Sequence, residues 1–99
     1  MVKYALLARV EAKAGKEKEV EEFLKGALPL AQEEKDTIEW FALKIGPSTF
    51  GIFDTFKEET GREAHLSGKI AAALMKHADD LLSSPPVIEK VELLAVKTS

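Results

Sequence analysis

Two stretches of this sequence repeat their apolar residues every three or four positions, and β-type runs flank both of them. The first repeat extends from Val20 to Ala31, and the second extends from Leu66 to Leu81. This spacing puts the apolar side chains on one stripe of a helix. The flanking runs are rich in Val, Ile, Phe and Thr, which is typical of strands. The chain is therefore expected to alternate two helices with strands.

The flanking runs predict four strands, which cover residues 2–12, 37–45, 50–57 and 87–97. Gly46-Pro47-Ser48-Thr49 has the composition of a turn, so the two middle strands should form an antiparallel hairpin. The resulting order, β-α-β-β-α-β, is that of the ferredoxin-like α+β class, with a four-stranded antiparallel sheet and two helices on one face. A chain of 99 residues has room for one domain, residues 1–99.

Both predicted helices contain an interruption. Pro29 should kink or end the first helix, because it has no N–H to donate to the carbonyl four residues back. The second helix is expected to start at a capping box, Thr60-Gly61-Arg62-Glu63, and to weaken at Ser67-Gly68. Ser83-Ser84-Pro85-Pro86 should end it.

The register of the hairpin decides which aromatic residues share a face of the sheet. Pairing Ile45 with Phe50 puts Phe41 on the face that the helices cover, and Trp40 and Phe53 on the opposite face. A bare sheet face with large apolar groups marks an interface. We therefore expect a homodimer with Trp40 and Phe53 in its interface, since a self-complementary dimer covers such a face most simply.

Charge and composition exclude several classes of function. The 14 basic and 17 acidic residues give a net charge of −3, and no segment concentrates Lys and Arg, so nucleic acid is not an expected partner. The absence of cysteine removes disulfides, thiolate catalysis and zinc fingers. Because no apolar run approaches the length of a membrane span and the first residues do not form a signal peptide, we expect a cytoplasmic protein without membrane contact.

The two histidines are the side chains best suited to proton transfer near neutral pH. His65 and His77 are 12 residues apart. This separation corresponds to about 18 Å along one helix, so they cannot hold one metal ion together unless the helix breaks between them. His65 could point into a cavity between helix and sheet, or it could bond to a backbone carbonyl or, through water, to Arg62 and Asp neighbours. His77 lies on the apolar stripe near Asp80, which is typical of a satisfied, half-buried histidine.

Asp54 is unusual because it shares a strand face with Ile52 and Phe56, beneath the predicted helices. A carboxylate in that position has to be paired, for example by Lys or Arg, or else it lies at a pocket. The sequence contains no dinucleotide-binding, phosphate-binding or zinc-protease motif, so no cofactor and no metal site are expected.

The segment from Trp40 to Leu74 resembles the antibiotic biosynthesis monooxygenase family. The resemblance rests on the GPSTFGIFDTF hairpin and on the R-E-A-H-L-S-G run from Arg62 to Gly68. It implies the dimeric α/β-barrel fold, in which two ferredoxin-like sheets close on each other. It also implies a cofactor-independent monooxygenase that oxidises a small aromatic or quinol substrate with O₂, because a deprotonated phenol can give an electron directly to O₂ in a dry pocket.

Under this resemblance, His65 would be the catalytic base or the hydrogen-bond partner of the substrate oxygen. The predicted substrate contacts are Phe41, Asp54, Phe56, Leu66, Ile70, Leu74 and His77. One open alternative is a non-catalytic small-molecule-binding or dimeric interaction module of the same fold. Another is haem binding or degradation through His77. Relatives that degrade haem carry an Asn and a Trp where this chain has Ala8 and Phe56.

Overall fold

Eight elements of secondary structure make up the computed structural model, which describes residues 2–98. They are β1 (Tyr4–Glu11), α1 (Glu17–Gly26), α2 (Leu28–Glu33), β2 (Thr37–Lys44), β3 (Thr49–Phe56), α3 (Glu59–Leu66), α4 (Lys69–Leu81) and β4 (Val87–Glu92). The sheet has the order β2-β3-β1-β4, and its neighbouring strands are antiparallel. The predicted ferredoxin-like α+β fold is confirmed.

The core lies between the helical stripes and the inner face of the sheet. Its largest helical members are Val20, Leu24, Ile70 and Leu74, which pack against Phe50 and Ile52 of β3. The two apolar stripes therefore face the sheet, as their spacing predicted. No helix in the described part of the chain is both long enough and apolar enough to cross a membrane.

Each of the two predicted helices is divided into two. The first breaks at Ala27, so that Pro29 falls in the first turn of α2, where its missing N–H is not needed. The second breaks at Ser67-Gly68, the predicted weak point. As a result His65 lies in the last turn of α3, and Glu34 directly follows α2 with an extended backbone.

Two predicted boundaries are wrong. Helix α3 begins at Glu59, after an extended Glu58, and no side chain caps its first turn. Thr60 therefore lies inside the helix, where its hydroxyl cannot act as the cap of the predicted capping box. Strand β4 ends at Glu92 rather than at residue 97, because the alternation of the strand fails at two successive leucines, of which Leu94 is 90% exposed.

The hairpin register differs by one residue from the predicted one. Lys44, not Ile45, lies opposite Phe50. The backbone N–H groups of Ile45 and Gly46 both donate to the Thr49 carbonyl, which places Ile45 in the turn. Since side chains alternate along a strand, this shift exchanges the two faces of β2.

The exchange moves the two aromatic residues of β2. Trp40 lies opposite Asp54 on the helix-covered face and packs against the core, so its predicted place on the open face is wrong. Phe41 lies on the open face, stacked on Phe53 with ring centroids 6.4 Å apart, so its predicted place beneath the helices is wrong. Phe53 lies on the open face, as its predicted position required.

Candidate functional site

His65 has a carboxylate against each of its two ring nitrogens. Its Nε2 is 2.8 Å from Asp54 Oδ2 on β3, and its Nδ1 is 2.6 Å from Glu34 Oε1 after α2. Only 8% of the His65 side chain and 1% of the Asp54 side chain are exposed, against 21% for Glu34. Three separate parts of the chain therefore meet at one imidazole ring. Among residues 2–98, no group of three His, Asp or Glu side chains could hold a metal ion.

The two contacts of the imidazole ring require two protons. A neutral imidazole has one N–H, so it can donate to only one of the two carboxylates. Burial lowers the pKa of His65, but the close carboxylate of Asp54, followed by that of Glu34, outweighs this effect and raises the pKa to about 8. His65 is therefore a cation at neutral pH, held between two carboxyl groups.

Asp54 is the most deeply buried of the three groups, and its carboxylate is incompletely paired. The contact with His65 has the length of a hydrogen bond but not its direction, and neither Asp54 oxygen accepts a well-directed hydrogen bond from the described residues. A buried polar group without hydrogen bonds costs free energy. The Asp54 carboxylate can therefore accept a hydrogen bond from a ligand.

An apolar cavity of about 120 Å³ lies beside Asp54 and His65, between the sheet and the two C-terminal helices. Its remaining walls are Leu6, Ala8, Ile52, Leu66, Ile70, Ala71, Leu74, Met75 and Ile88. Met75 on α4 and Ile88 on β4 are half-exposed, which places the mouth of the cavity between these two elements. An apolar cavity of about 150 Å³ holds benzene, so this one, which is slightly smaller but open at its mouth, is close to the size of a single aromatic ring.

A second, polar cleft of about 340 Å³ lies on the other side of His65. Its charged walls are Glu33, Glu34, Lys35, Asp36 and Lys69. Thr37 Oγ1 donates a hydrogen bond of 2.7 Å to Glu34 Oε1, which holds this carboxylate in place. His65 borders both the cavity and the cleft, so its ring separates the two.

Gly61 in α3 and Gly68 just after it allow Asp36 and Glu34 to lie close to this helix. A Cβ atom at Gly61 would lie 2.9 Å from Asp36 Cβ, and one at Gly68 would lie 3.3 Å from Glu34 Oε2. A side chain at Gly61 would push the chain at Asp36 away from α3, whereas one at Gly68 would shift the Glu34 carboxylate by a few tenths of an ångström. The two glycines therefore leave room for Asp36 and the Glu34 carboxylate beside α3.

Arg62 fixes α3 to the sheet one turn before His65. Its buried guanidinium donates from Nη1 to the carbonyls of Ala5 at 3.4 Å and Val91 at 3.2 Å. Nη2 lies 3.3 Å from Glu59 Oε2 on the surface. Because α3 is tied to β1 and β4 in this way, the imidazole ring three residues later is held over the inner face of the sheet.

Comparison with solved structures identifies a relative of the chain. The NE2512 protein of unknown function from Nitrosomonas europaea is 63% identical, with a TM-score of 0.96. The match covers 100% of this chain and 96% of that protein. The chain belongs to the same family as this protein.

More distant structures share the fold alone. A candidate antibiotic biosynthesis monooxygenase from Nitrosomonas europaea is 15% identical over 93% of this chain and 90% of its own, with a TM-score of 0.81. Another from Chloroflexus aurantiacus is 12% identical over 97% of both chains, with a TM-score of 0.73. The chain therefore has the antibiotic biosynthesis monooxygenase fold, as the resemblance implied. No family model matches the sequence, and neither does any curated protein.

The structure brings most of the predicted site residues together. The predicted site residues that border the apolar cavity are Asp54, His65, Leu66, Ile70 and Leu74. Phe56 is fully buried beside the His65 ring, with ring centroids 5.6 Å apart, but it is not part of the cavity wall. Asp54 lies beneath the helices as predicted, but its partner is His65 rather than a Lys or Arg.

Two predicted substrate contacts lie elsewhere. Phe41 is 46% exposed on the open face of the sheet, for the reason of register given above. His77 is exposed on α4, where its ring packs edge-on against Phe23 of α1 with centroids 5.5 Å apart. Neither borders the cavity beside His65, and the predicted half-buried state of His77 is wrong.

Glu34 is the charged residue at His65 that the sequence interpretation missed. It is 31 positions away from His65 and stands in a charged run, Glu33 to Asp36, that reads as the polar end of a helix. No local signal distinguishes Glu34 from its acidic neighbours. Its contact with His65 forms where α2 ends at Glu33 and Gly68 leaves room for the carboxylate.

Proposed function

We propose that this protein is a cofactor-independent monooxygenase that oxidises a small single-ring phenol or quinol with O₂. The observation that carries this proposal is a buried carboxylate, Asp54, in the wall of an apolar cavity of about 120 Å³. The cavity volume suits one aromatic ring, and the hydroxyl of a phenol would supply the hydrogen bond that Asp54 lacks. The candidate monooxygenases of the same fold support this class of reaction.

In this proposal Asp54 is the base, and His65 is its charged neighbour. The imidazole already carries its second proton at neutral pH, so the carboxylate is the group that can take a proton from the ligand. The imidazolium then stabilises the negative charge that develops on the ligand oxygen. The base role that the resemblance implied for His65 passes to Asp54.

The proposed reaction can be written for hydroquinone. Asp54 removes a hydroxyl proton, and the phenolate gives one electron to O₂. The phenoxyl radical and superoxide then join at the ring carbon next to the phenolic carbon, and the peroxide takes up a proton. The ring C–H loses its proton as the O–O bond breaks, and water leaves. Hydroquinone and O₂ thus give hydroxyquinone and water.

Oxygen uptake with a panel of single-ring hydroquinones tests this function. Asp54→Asn keeps the size of the side chain but cannot act as a base, so kcat should fall by about 100-fold or more. Asp80→Asn, an exposed change of the same kind on α4, is the matched control and should keep the wild-type rate. Equal rates for wild type and Asp54→Asn across the panel would contradict the assignment.

The alternatives to oxidation make different predictions in the same experiment. A binding module without catalysis would show ligand-dependent thermal stabilisation and no oxygen uptake. A haem protein would show a shifted Soret band on titration with haem. The haem alternative has little support, because the exposed His77 is outside the cavity and the cavity is far smaller than a porphyrin.

We also propose a homodimer formed through the open face of the sheet. Leu7, Phe53 and Phe41 form an apolar row across three strands of this face. Arg9 and Glu89 lie on the same face, so a two-fold partner could pair opposite charges around the apolar row. A second copy is therefore the occupant that fits both the apolar row and the charges.

The mass of the protein in solution tests the dimer. Sedimentation at micromolar concentration should give about twice the monomer mass of 10.9 kDa. Phe53→Asp should dissociate or unfold the protein, whereas Leu94→Asp, at an exposed leucine outside the sheet, should leave its mass unchanged. A monomeric wild-type protein would contradict the proposal.

A further inference from the structure

Glu34, His65 and Asp54 form a continuous series of contacts from the surface to the apolar cavity. Glu34 is the most exposed of the three and borders the polar cleft, whereas Asp54 is fully buried and borders the cavity. His65 borders both, and its two contacts are 2.6 and 2.8 Å long. The series therefore crosses the wall between cleft and cavity at one imidazole ring.

We propose that Glu34 is a positioning residue that connects the Asp54–His65 pair to the solvent of the cleft, so that the imidazole ring loses and regains its Nδ1 proton on the cleft side as Asp54 gains and loses the proton of the ligand. This inference rests on the proposed function for the source of the proton, which is the hydroxyl group of the ligand. An imidazole can hold protons on both nitrogens or on one, so it can release a proton on the cleft side. The net charge of the Asp54–His65 pair then stays the same when Asp54 is protonated.

The transfer conserves protons at every step. At rest, the imidazolium carries one proton on Nε2, near Asp54, and one on Nδ1, near Glu34. Asp54 becomes neutral when it takes the ligand proton, so the imidazolium loses the negative charge beside it. The proton on Nδ1 then passes to Glu34 and into the cleft. One proton then remains on Asp54 and one on Nε2. The proton on Asp54 returns to the peroxide, and a proton from the cleft restores the imidazolium.

Other charged groups surround the ring at a greater distance. The cleft adds Glu33, Lys35, Asp36 and Lys69. Arg62 lies on the same helix as His65, but its guanidinium donates to carbonyls of the sheet. Among the described residues, Asp54 and Glu34 are the two carboxyl groups within 4.0 Å of the ring nitrogens. They are therefore the groups through which the ring can exchange its protons.

The titration of the His65 ring, followed by NMR, tests the link without any turnover. Glu34→Gln can still accept the hydrogen bond from Nδ1 but cannot take the proton, and it removes one of the two charges beside the ring. We expect the titration midpoint of His65 to fall by about one pH unit. Glu33→Gln, which makes the same change in the same cleft, should leave it unchanged. An unchanged midpoint in Glu34→Gln would overturn the proposal.

Chemical rescue tests the route of the proton. Glu34→Ala should lose oxygen uptake, and acetate, which can enter the cleft at the place of the missing carboxylate, should restore it in proportion to its concentration. Acetate should have no effect on Glu33→Ala. If wild type is active and acetate restores nothing, the relay is wrong and the proposed oxidation stands. If wild type takes up no oxygen, the proposed oxidation is wrong, and the His65 titration in Glu34→Gln still decides the link.

Discussion

Raising the pH through the titration of His65 should destabilise the folded protein. The pKa of His65 is raised from its usual 6.5 to about 8, so the folded state holds this proton more tightly than the unfolded state does. The resulting stabilisation is complete below about pH 6.5 and is lost as the pH rises through about 8. At 1.36 kcal/mol for each pH unit, the free energy of unfolding should fall by about 2 kcal/mol between about pH 6 and pH 9.

Urea unfolding at several pH values measures this loss. The fluorescence of Trp40, the single tryptophan, reports the transition, and the protomer concentration is kept constant because a dimer would shift the midpoint. A loss of about 2 kcal/mol is large against a total stability of about 5–15 kcal/mol. His65→Gln should flatten the pH profile in this range, and His77→Gln should preserve it.

The wild-type profile alone can refute the reasoning. A free energy of unfolding that is constant or rises between about pH 6 and pH 9 would show that the folded state does not hold the His65 proton more tightly. This outcome is decisive even if His65→Gln fails to fold. If His65→Gln folds and keeps the wild-type slope, the pH dependence belongs to another group.

Three further changes test the packing and the chemistry of the site. Gly61→Ala should lower the free energy of unfolding in urea by about 1–3 kcal/mol, because its Cβ would lie 2.9 Å from Asp36 Cβ. Gly26→Ala, with no neighbour within 4 Å of the new Cβ, should raise it by up to about 1 kcal/mol. Equal effects of the two changes would contradict this packing. Arg62→Ala should cost about 2–3 kcal/mol because two sheet carbonyls lose a charged donor, and a wild-type Tm would contradict that role. Phenol should raise the Tm and benzoate should not, because Asp54 repels a second anion in an apolar cavity; equal shifts would exclude Asp54 as the group that selects the ligand.

The order of elements could be predicted because the period of the apolar residues changes clearly along the chain. The stripe from Val20 to Ala31 has helical spacing, and Ser67-Gly68 interrupts the second helix where the structure divides it. These signals are local, because each one depends on residues that are close together in the same helix. They do not depend on where the element later packs.

The register of the hairpin could not be predicted in the same way. Strand β2 has large apolar residues on both faces, Trp40 on one and Phe41 on the other, so alternation does not choose between two registers. The choice depends on the turn, where two successive N–H groups donate to the carbonyl of Thr49. The composition of the turn does not specify that geometry, and the prediction therefore exchanged the faces of Trp40 and Phe41.

The site was predictable in its separate parts but not as a connected group. Asp54 and His65 could be singled out, because a carboxylate on an apolar strand face and an imidazole near a helix break are each unusual. Their pairing depends on the direction in which α3 leaves the sheet, which Arg62 sets through carbonyls of β1 and β4. Glu34 contacts His65 because α2 ends just before it, and no local sequence pattern marks that helix end.

The position of Asp54 is better explained by chemistry than by stability. Removing a carboxylate and an imidazolium from water costs about as much as their attraction returns, so a buried ion pair adds little net stability. Here the gain is smaller still, because Asp54 accepts no well-directed hydrogen bond from the described residues. An apolar residue between Ile52 and Phe56 would continue the inner face of β3 without this cost. A carboxylate there has a physical use if a ligand in the cavity donates a proton to it, while His65 and Glu34 adjust the charge beside it from the cleft.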